Sequence, residues 1–539
     1  MPWWEWLLVF GLCALPLVAG RFLPLIDIPQ HLAMAKAVVG LLQGDTNISK
    51  YYFLDLWPQP YWLYYILVGA VSKFAPLEIA NKLVLYGYSI GIPFGVRSLL
   101  LVFNRNPRWW ILAVPLAWTS SFFYGFMAYL VGVPLVLFGI TALQNAFGGP
   151  QASRQSKWIL GTIACLIYLA HAQAYLWFLL AATVLLFIHW KGSFWFARMV
   201  LPLFPSLALF IAWVWRTFMT AKPAPTTPVP TTYGSLGNLG MRWEPFTRRV
   251  TSGMEHLYGG CTDGSGLWIG WLWLAVIASG ILLATQQTRP LEATGSATSR
   301  RGSFAVEALL GAFLLAWLFL PYELNGQWYL APRYLLFSGA VAIVAAAGHS
   351  RGHRTIFLVG LCAVAAFSLN VTRMVRQFQP AMAGLDEVLH AIPAGERVAH
   401  LPFDERNNMS PDGIATNGIA GYIVIPTSIS MHGYAPMFPG SPTQWMSPTH
   451  HASAYYQVWQ GGDIAVSFAA APTNPVRYRP GKKPEGLVEF EPENVEMDVA
   501  IKDFAYFLVR GNLEGKATRL GQYADRIAVK GSWEVWRRR

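Results

Sequence analysis

The sequence predicts an α-helical polytopic membrane protein that carries an α/β domain at its C-terminal end, outside the membrane. Three observations point there. Of 539 residues, 54% are hydrophobic, 15% aromatic and only 13% charged, with a mean hydropathy of +0.37. A water-soluble chain of this length carries more charge, so most of this one must lie in lipid. Basic residues recur in short connectors between apolar runs, and after Arg373 those runs give way to short strand-like segments and turns.

From the N-terminus, Trp3–Gly20 is apolar, with no basic region before it and no small-residue cleavage site after it. It is expected to remain as a first span. Asp27-Ile28-Pro29-Gln30-His31-Leu32 follows and opens an amphipathic run to Leu42. Pro29 suits the first turn of a helix, where its missing N–H costs nothing, and Asp27 is placed to cap that helix. Four residues apart, Asp27 and His31 fall on one helical face at the membrane–water boundary. They form either a reaction centre or merely a helix cap and a histidine facing headgroups. Gly44-Asp45-Thr46-Asn47 breaks the helix, and the aromatic, Pro-bearing Tyr51–Pro60 completes a first outer loop, residues 21–60.

Apolar runs then follow at Tyr61–Phe74, Ala80–Phe103, Trp109–Ser120, Phe123–Leu143, Trp158–Leu169, Tyr175–Trp190 and Trp195–Phe218. The last are Leu267–Thr285, Phe304–Leu320, Tyr334–Ala347 and Ile356–Asn370. Several are shorter than the ~20 residues a crossing needs, which predicts broken or re-entrant helices among roughly eleven to thirteen spans. Arg105 and Arg108, Arg154 and Lys157, Lys191 and Arg198, Arg289, Arg300 and Arg301, and Arg351 and Arg354 fall in alternate loops. The positive-inside rule places those loops in the cytoplasm and the His171 turn, 219–266, Pro321–Arg333 and the C-terminal domain outside. The Asp27 loop joins them only if Tyr61–Phe74, below spanning length, is interfacial or re-entrant.

The 24 Trp and 23 Tyr suit interfacial belts. A net charge of +12 reads as loop bias and attraction to anionic membrane lipid. No nucleic-acid motif stands out, and no nucleic-acid partner is expected. The four cysteines have neither metal-ligand spacing nor the density of a disulfide framework. Two domains result. Residues 1–372 form the transmembrane part, with a flexible outer loop at 219–266 that includes the Pro/Thr-rich Lys222–Gly240. Residues 373–539 form the extracytoplasmic domain, with a helix at Leu385–Ile392 and strands at Arg397–Phe403, Phe504–Val509 and Ser532–Trp536.

The order of a span, an acid in the first outer loop, an interfacial helix and a Gly-Asp break continues with Pro58-Gln-Pro60-Tyr-Trp-Leu-Tyr-Tyr65, Lys73 and Ala80-Asn-Lys82. This arrangement resembles the N-terminal region of the GT-C superfamily of integral-membrane glycosyltransferases, which includes protein O-mannosyltransferases and aminoarabinose transferases of lipid A. As pattern the resemblance covers roughly the first 140 residues, and beyond them only architecture. The family's frequent Asp-Glu pair is here Asp27-Ile28, and its Lys-Pro-Pro is Pro58-Gln59-Pro60.

The resemblance implies transfer of a sugar from a polyprenyl-phosphate carrier to a glycan, lipid or protein acceptor. The reaction would run with inversion at the outer face of a bacterial inner membrane. Asp27 is the implied base for the acceptor hydroxyl. His31 would orient Asp27 or join it in holding a divalent ion, Mg or Mn, although two ligands make a thin metal site and no cofactor is demanded. Arg333, in Trp328-Tyr-Leu-Ala-Pro-Arg333-Tyr334, is the candidate for the carrier phosphate, with Tyr334 beside it for the first isoprene units. An ordinary snorkelling arginine is the competing account. Lys73 and Lys82 are secondary phosphate candidates. His171 is a site candidate or a packing histidine, and Glu323 and Glu255-His256 are acceptor contacts or solvated loop residues. Glu307 reads as structural. His432 with His450-His451 is a weak metal candidate against scattered surface histidines.

The alternative functions are a transporter or flippase of a lipid-linked or amphipathic substrate, and a non-enzymatic envelope scaffold. The first requires internal repeats that the sequence does not clearly show. The second leaves Asp27 and Arg333 without a common site.

Overall fold

The computed structural model describes residues 3–25, 28–44, 52–54, 56–148, 153–190, 192–193, 200–219, 241–258, 265–287, 297–324, 329–348, 351–393, 398–402, 443–445, 455–460, 463–468, 506–510, 521 and 523–539. Asp27, Lys222–Gly240, His432 and His450-His451 lie outside the described residues. The chain is a polytopic helical membrane protein. Four described helices are long and apolar enough to cross a bilayer: Leu77–Val102, Met127–Phe147, Gly266–Gln286 and Gly352–Pro380. Shorter apolar helices stand beside them.

The first helix, α1, is Trp3–Val18. α2 (Ile28–Gln43) starts directly after Asp27, with Pro29 in its first turn as expected. The short run near Tyr61 folds as the ten-residue α3 (Trp62–Val71), about 15 Å long and half a bilayer core. α4 (Leu77–Val102) packs on α5 (Met127–Gly148) through small residues. A Cβ on Gly95 would come within 2.6 Å of Leu137 Cβ, so this close approach requires glycine.

Trp109–Ser120, expected as a span, is different. Pro107–Trp118 is a twelve-residue 3₁₀ helix, and every side chain from Trp109 to Trp118 is buried. Hydropathy reports burial and does not distinguish a lipid-facing α-helix from a tighter helix enclosed by protein. The Asn106 side chain caps it by accepting from Arg108 N–H at 3.2 Å.

After α6 (Arg154–Ala170) and α7 (Ala172–Ile188), α8 (Phe204–Met219) leads to a long loop. That loop contains β2 (Met241–Arg242), α9 (Phe246–Thr251) and α10 (Gly253–Tyr258). α11 (Ser265–Gln287), α12 (Ala297–Phe319) and α13 (Tyr334–Ala346) precede α14 (Arg351–Met382). α14 does not stop at Asn370 but runs twelve residues further, to Met382. Gly384, with φ 89°, then turns the chain into α15 (Leu385–Leu389).

Four C-terminal strands pair in the order β4 (Val398–Pro402), β8 (Tyr506–Arg510), β10 (Trp533–Arg538), β9 (Ala524–Lys530), with β4 parallel to β8 and the others antiparallel. β9 escaped the sequence because it is an edge strand whose side chains are mostly exposed, so it shows no clean alternation. Trp533, Val535 and Leu508 from this sheet and Leu385 and Val388 from α15 are all buried. Three two-stranded ladders are also described, one of them β6 (Tyr455–Gln460) paired antiparallel with β7 (Asp463–Phe468). β1 (Tyr52–Leu54) pairs with β5 (Thr443–Trp445), and β2 pairs with β3 (Glu323–Leu324).

Candidate functional site

The aromatic run Pro58–Tyr65 is the joint of the site. Tyr61 caps α3 with a left-handed backbone, φ 81°, a conformation that costs a side-chain-bearing residue roughly 1 kcal/mol or more. It sets the Tyr61 ring edge-on to His171, with centroids 4.8 Å apart. One turn later, the Tyr65 hydroxyl lies 2.8 Å from His31 Nδ1 of α2. Tyr64 packs edge-on to the same imidazole and donates to Asn81 Oδ1 at 2.8 Å. The Tyr168 hydroxyl, 3.0 Å from Pro58 O and 3.1 Å from Leu209 O, ties the start of the run to α6 and α8. Ten residues of α3 thus connect α2 to the α6–α7 turn.

His171 is that turn. Its backbone is extended, and its Nδ1 accepts from Gln173 N–H at 3.1 Å, capping α7. In the neutral ring this places the proton on Nε2. Gln173 reaches the other way, donating through Nε2 to Leu330 O at 3.0 Å and accepting from Arg333 Nη1 at 2.7 Å. Arg333 is only 7% exposed, and its guanidinium lies 3.9 Å from the Phe126 ring centre and 5.2 Å from that of Tyr129. A snorkelling arginine would extend into headgroups, whereas this one is enclosed by aromatic faces. Tyr129 also packs edge-on to His171, at 5.6 Å. Tyr334, buried on the next residue, faces Trp177 at 4.7 Å.

The electrostatics are lopsided. Burial pushes His31 down to about 4 and holds His171 well below its ordinary value, with the charges of Arg333 and His31 adding to the effect at His171. At neutral pH both imidazoles are uncharged while the guanidinium stays charged, an arrangement that favours an anion. A sign follows for stability. Both folded-state values lie below the unfolded value of 6.5, so the unfolded chain binds more protons as pH falls and stability is lost from about pH 6.5 towards 4. Thermal unfolding in detergent should move to lower temperature across that window, and His31→Gln should flatten the dependence. An equal slope in that variant would contradict the assignment.

The remaining sequence candidates are placed differently. Lys73 is exposed beyond the end of α3. Lys82 Nζ donates to Gly20 O. Glu323 sits in β3 opposite Arg242. Glu307 is exposed on α12. His256 is no solvated loop residue. It is 9% exposed with Nε2 3.2 Å from Glu244 Oε2, and burial lowers it to about 4. Arg249, 1% exposed, donates to Trp317 O, Leu318 O and Leu320 O and closes the C-terminal end of α12. Tyr329, the other tyrosine with positive φ, donates its hydroxyl to His256 O and turns its ring to Phe126. It links this cluster to the aromatic wall of Arg333. Among the described residues no group of three or more His, Cys, Asp or Glu could hold a metal ion.

Sequence reasoning singled out His31, His171, Arg333 and Tyr334 and missed Phe126, Tyr129 and Gln173, the residues that connect them. Gln173 lies two positions after His171, the distance at which a capping side chain meets the backbone, and that was the available signal.

No protein-family model matches the chain, and no characterised protein matches it by sequence. Among solved structures, ArnT from Cupriavidus metallidurans bound to undecaprenyl phosphate matches 99% of this chain and 97% of its own, at 11% identity and a TM-score of 0.54. The apo form of ArnT matches over the same shares at 11% identity and a TM-score of 0.51. At this identity the likeness shows the fold alone: over nearly its whole length the chain shares the architecture of ArnT.

Proposed function

We propose that this protein is an integral-membrane glycosyltransferase that moves a sugar from a polyprenyl-phosphate carrier to an acceptor at the outer face of the membrane. The observation that carries the proposal is the convergence of Arg333 and His171 on Gln173 and Tyr129, with His31 of α2 held nearby through Tyr65 of α3. It occurs on a fold shared with a protein whose structure holds undecaprenyl phosphate.

The chemistry is a displacement at the anomeric carbon. The acceptor hydroxyl oxygen forms the new bond, the bond from that carbon to the phosphate oxygen breaks, and the carrier phosphate leaves with the electron pair. The carboxylate of Asp27 takes the hydroxyl proton, and attack opposite the leaving group inverts the configuration. Arg333 meets the phosphate charge with a planar pair of donors in a site dry enough for the interaction to count. The His171 Nε2–H is a second donor to the same oxygens, and Tyr334, backed by the buried Trp177, stands beside Arg333 for the first isoprene units. The basic residues of the alternate short loops support a topology in which this end and the C-terminal domain lie outside.

The test is a transfer assay with the full chain in nanodiscs, a panel of radiolabelled polyprenyl-phosphate sugars and crude envelope acceptors. Label should leave one carrier and appear in an acceptor. Label that crosses the membrane still attached to its carrier would make the protein a flippase instead.

A further inference from the structure

The first outer loop is held by residues hundreds of positions away. Near the end of α14, Gln379 presents both ends of its amide to one backbone unit. Its Oε1 accepts from Phe22 N–H at 3.2 Å and its Nε2 donates to Phe22 O at 2.8 Å, with a third bond to Val375 O at 2.7 Å. The side chain behaves as a one-residue strand edge. It fits because position 20 is glycine, where a Cβ would stand 2.2 Å from Gln379 Nε2. From α4, Lys82 donates to Gly20 O, and Arg21 joins Glu78 of α4, Nε to Oε2 at 3.1 Å, to Asp386 of α15. At its far flank the loop is tied again, where Tyr52–Leu54 pairs with Thr443–Trp445.

These ties grip the main chain, not side-chain tips. Exposed pairs such as those of Arg21 contribute little to stability, typically ~0–1 kcal/mol. Amide bonds to both backbone groups of one residue do fix where the chain runs, and from Phe22 to Leu25 it runs buried. Asp27 follows two residues later, and His31 one helical turn beyond it.

We propose that Gln379, with Gly20 giving it room and Lys82 opposing it, is a positioning residue that fixes the chain leading into α2 and so sets where His31 stands. Through it the helix leading into the C-terminal sheet controls turnover. The proposal rests on the glycosyl-transfer function above and adds a division of labour. Arg333 and His171 hold the carrier from the α6–α7 turn and the start of α13, whereas the Gln379 contact governs only the attacking side. Loosening it should therefore lower kcat and leave the carrier KM unchanged.

The experiment compares full-length wild type with Gln379→Met, which keeps length and loses all three bonds, and with Gly20→Ala, which pushes the amide away from the other side. Both variants should lose about tenfold or more in kcat with carrier KM within about twofold. Amide exchange measured on the same samples should rise at Phe22 and through His31 but not in α5, α6 or α7. Unchanged exchange at Phe22, an effect on KM alone, or exchange rising throughout the bundle would overturn the proposal. The last of these would show a merely structural glutamine. Exchange needs no activity, so a wild type that transfers no sugar would refute the proposed reaction while the grip on the loop is still measured.

Discussion

Asp27→Asn is expected to lower kcat for sugar transfer by about two to four orders of magnitude and to leave carrier affinity within about twofold, the range of a lost general base. The substitution is chosen because asparagine caps a helix as well as aspartate does. If Asp27 merely ends α2, Asn in its place should cost neither stability nor activity. If it takes the acceptor proton, the neutral amide cannot replace it. The placement of His31 supports the second outcome. Its ring is held by Tyr64 and Tyr65, so this imidazole, four positions after Asp27 in the sequence, packs against α3. Single-turnover transfer with pre-bound carrier, alongside a melting curve, separates the two. Equal rates would reduce Asp27 to a cap.

Arg333→Ala should weaken carrier binding by about 100-fold, as expected for losing a charge-assisted phosphate contact in an enclosed site. Arg333→Lys should recover only part of it, because an ammonium cannot give the planar two-point contact and packs differently between Phe126 and Tyr129. Titration with undecaprenyl phosphate and with the uncharged polyprenol makes the effect specific. Wild type should prefer the phosphate, and Arg333→Ala should bind the two alike. Gln173→Leu should cost less, about tenfold, since it removes an orienting acceptor and leaves the charge in place. If Arg333→Ala retains the preference for phosphate, the anion is held elsewhere.

Local signals were legible in this sequence and distant ones were not. The first-turn position of Pro29, the sub-spanning length of α3 and the strands near Val398, Tyr506 and Trp533 follow from backbone rules that act over a few residues. The His171 turn and the buried Arg333 were visible as costly residue types next to apolar runs. The 3₁₀ segment was not, because its apolar composition shows only that it is buried. The extra turns of α14 were missed because Thr372, Arg373, Arg376 and Gln379 end the hydrophobic pattern while the helix continues. The bonds that make a site of the parts, Gln173 to Arg333 and Gln379 to Phe22, join residues 160 and 357 positions apart. Nothing in local periodicity encodes such pairs.

The most direct test of one shared site is a structure of the full chain in a nanodisc with undecaprenyl phosphate. The phosphate is predicted within hydrogen-bonding distance of the Arg333 guanidinium and His171 Nε2, with the isoprenoid leaving past Tyr334 and the Asp27 carboxylate facing the phosphate's sugar-bearing side. A phosphate bound away from Arg333, or Asp27 turned from it, would contradict the account.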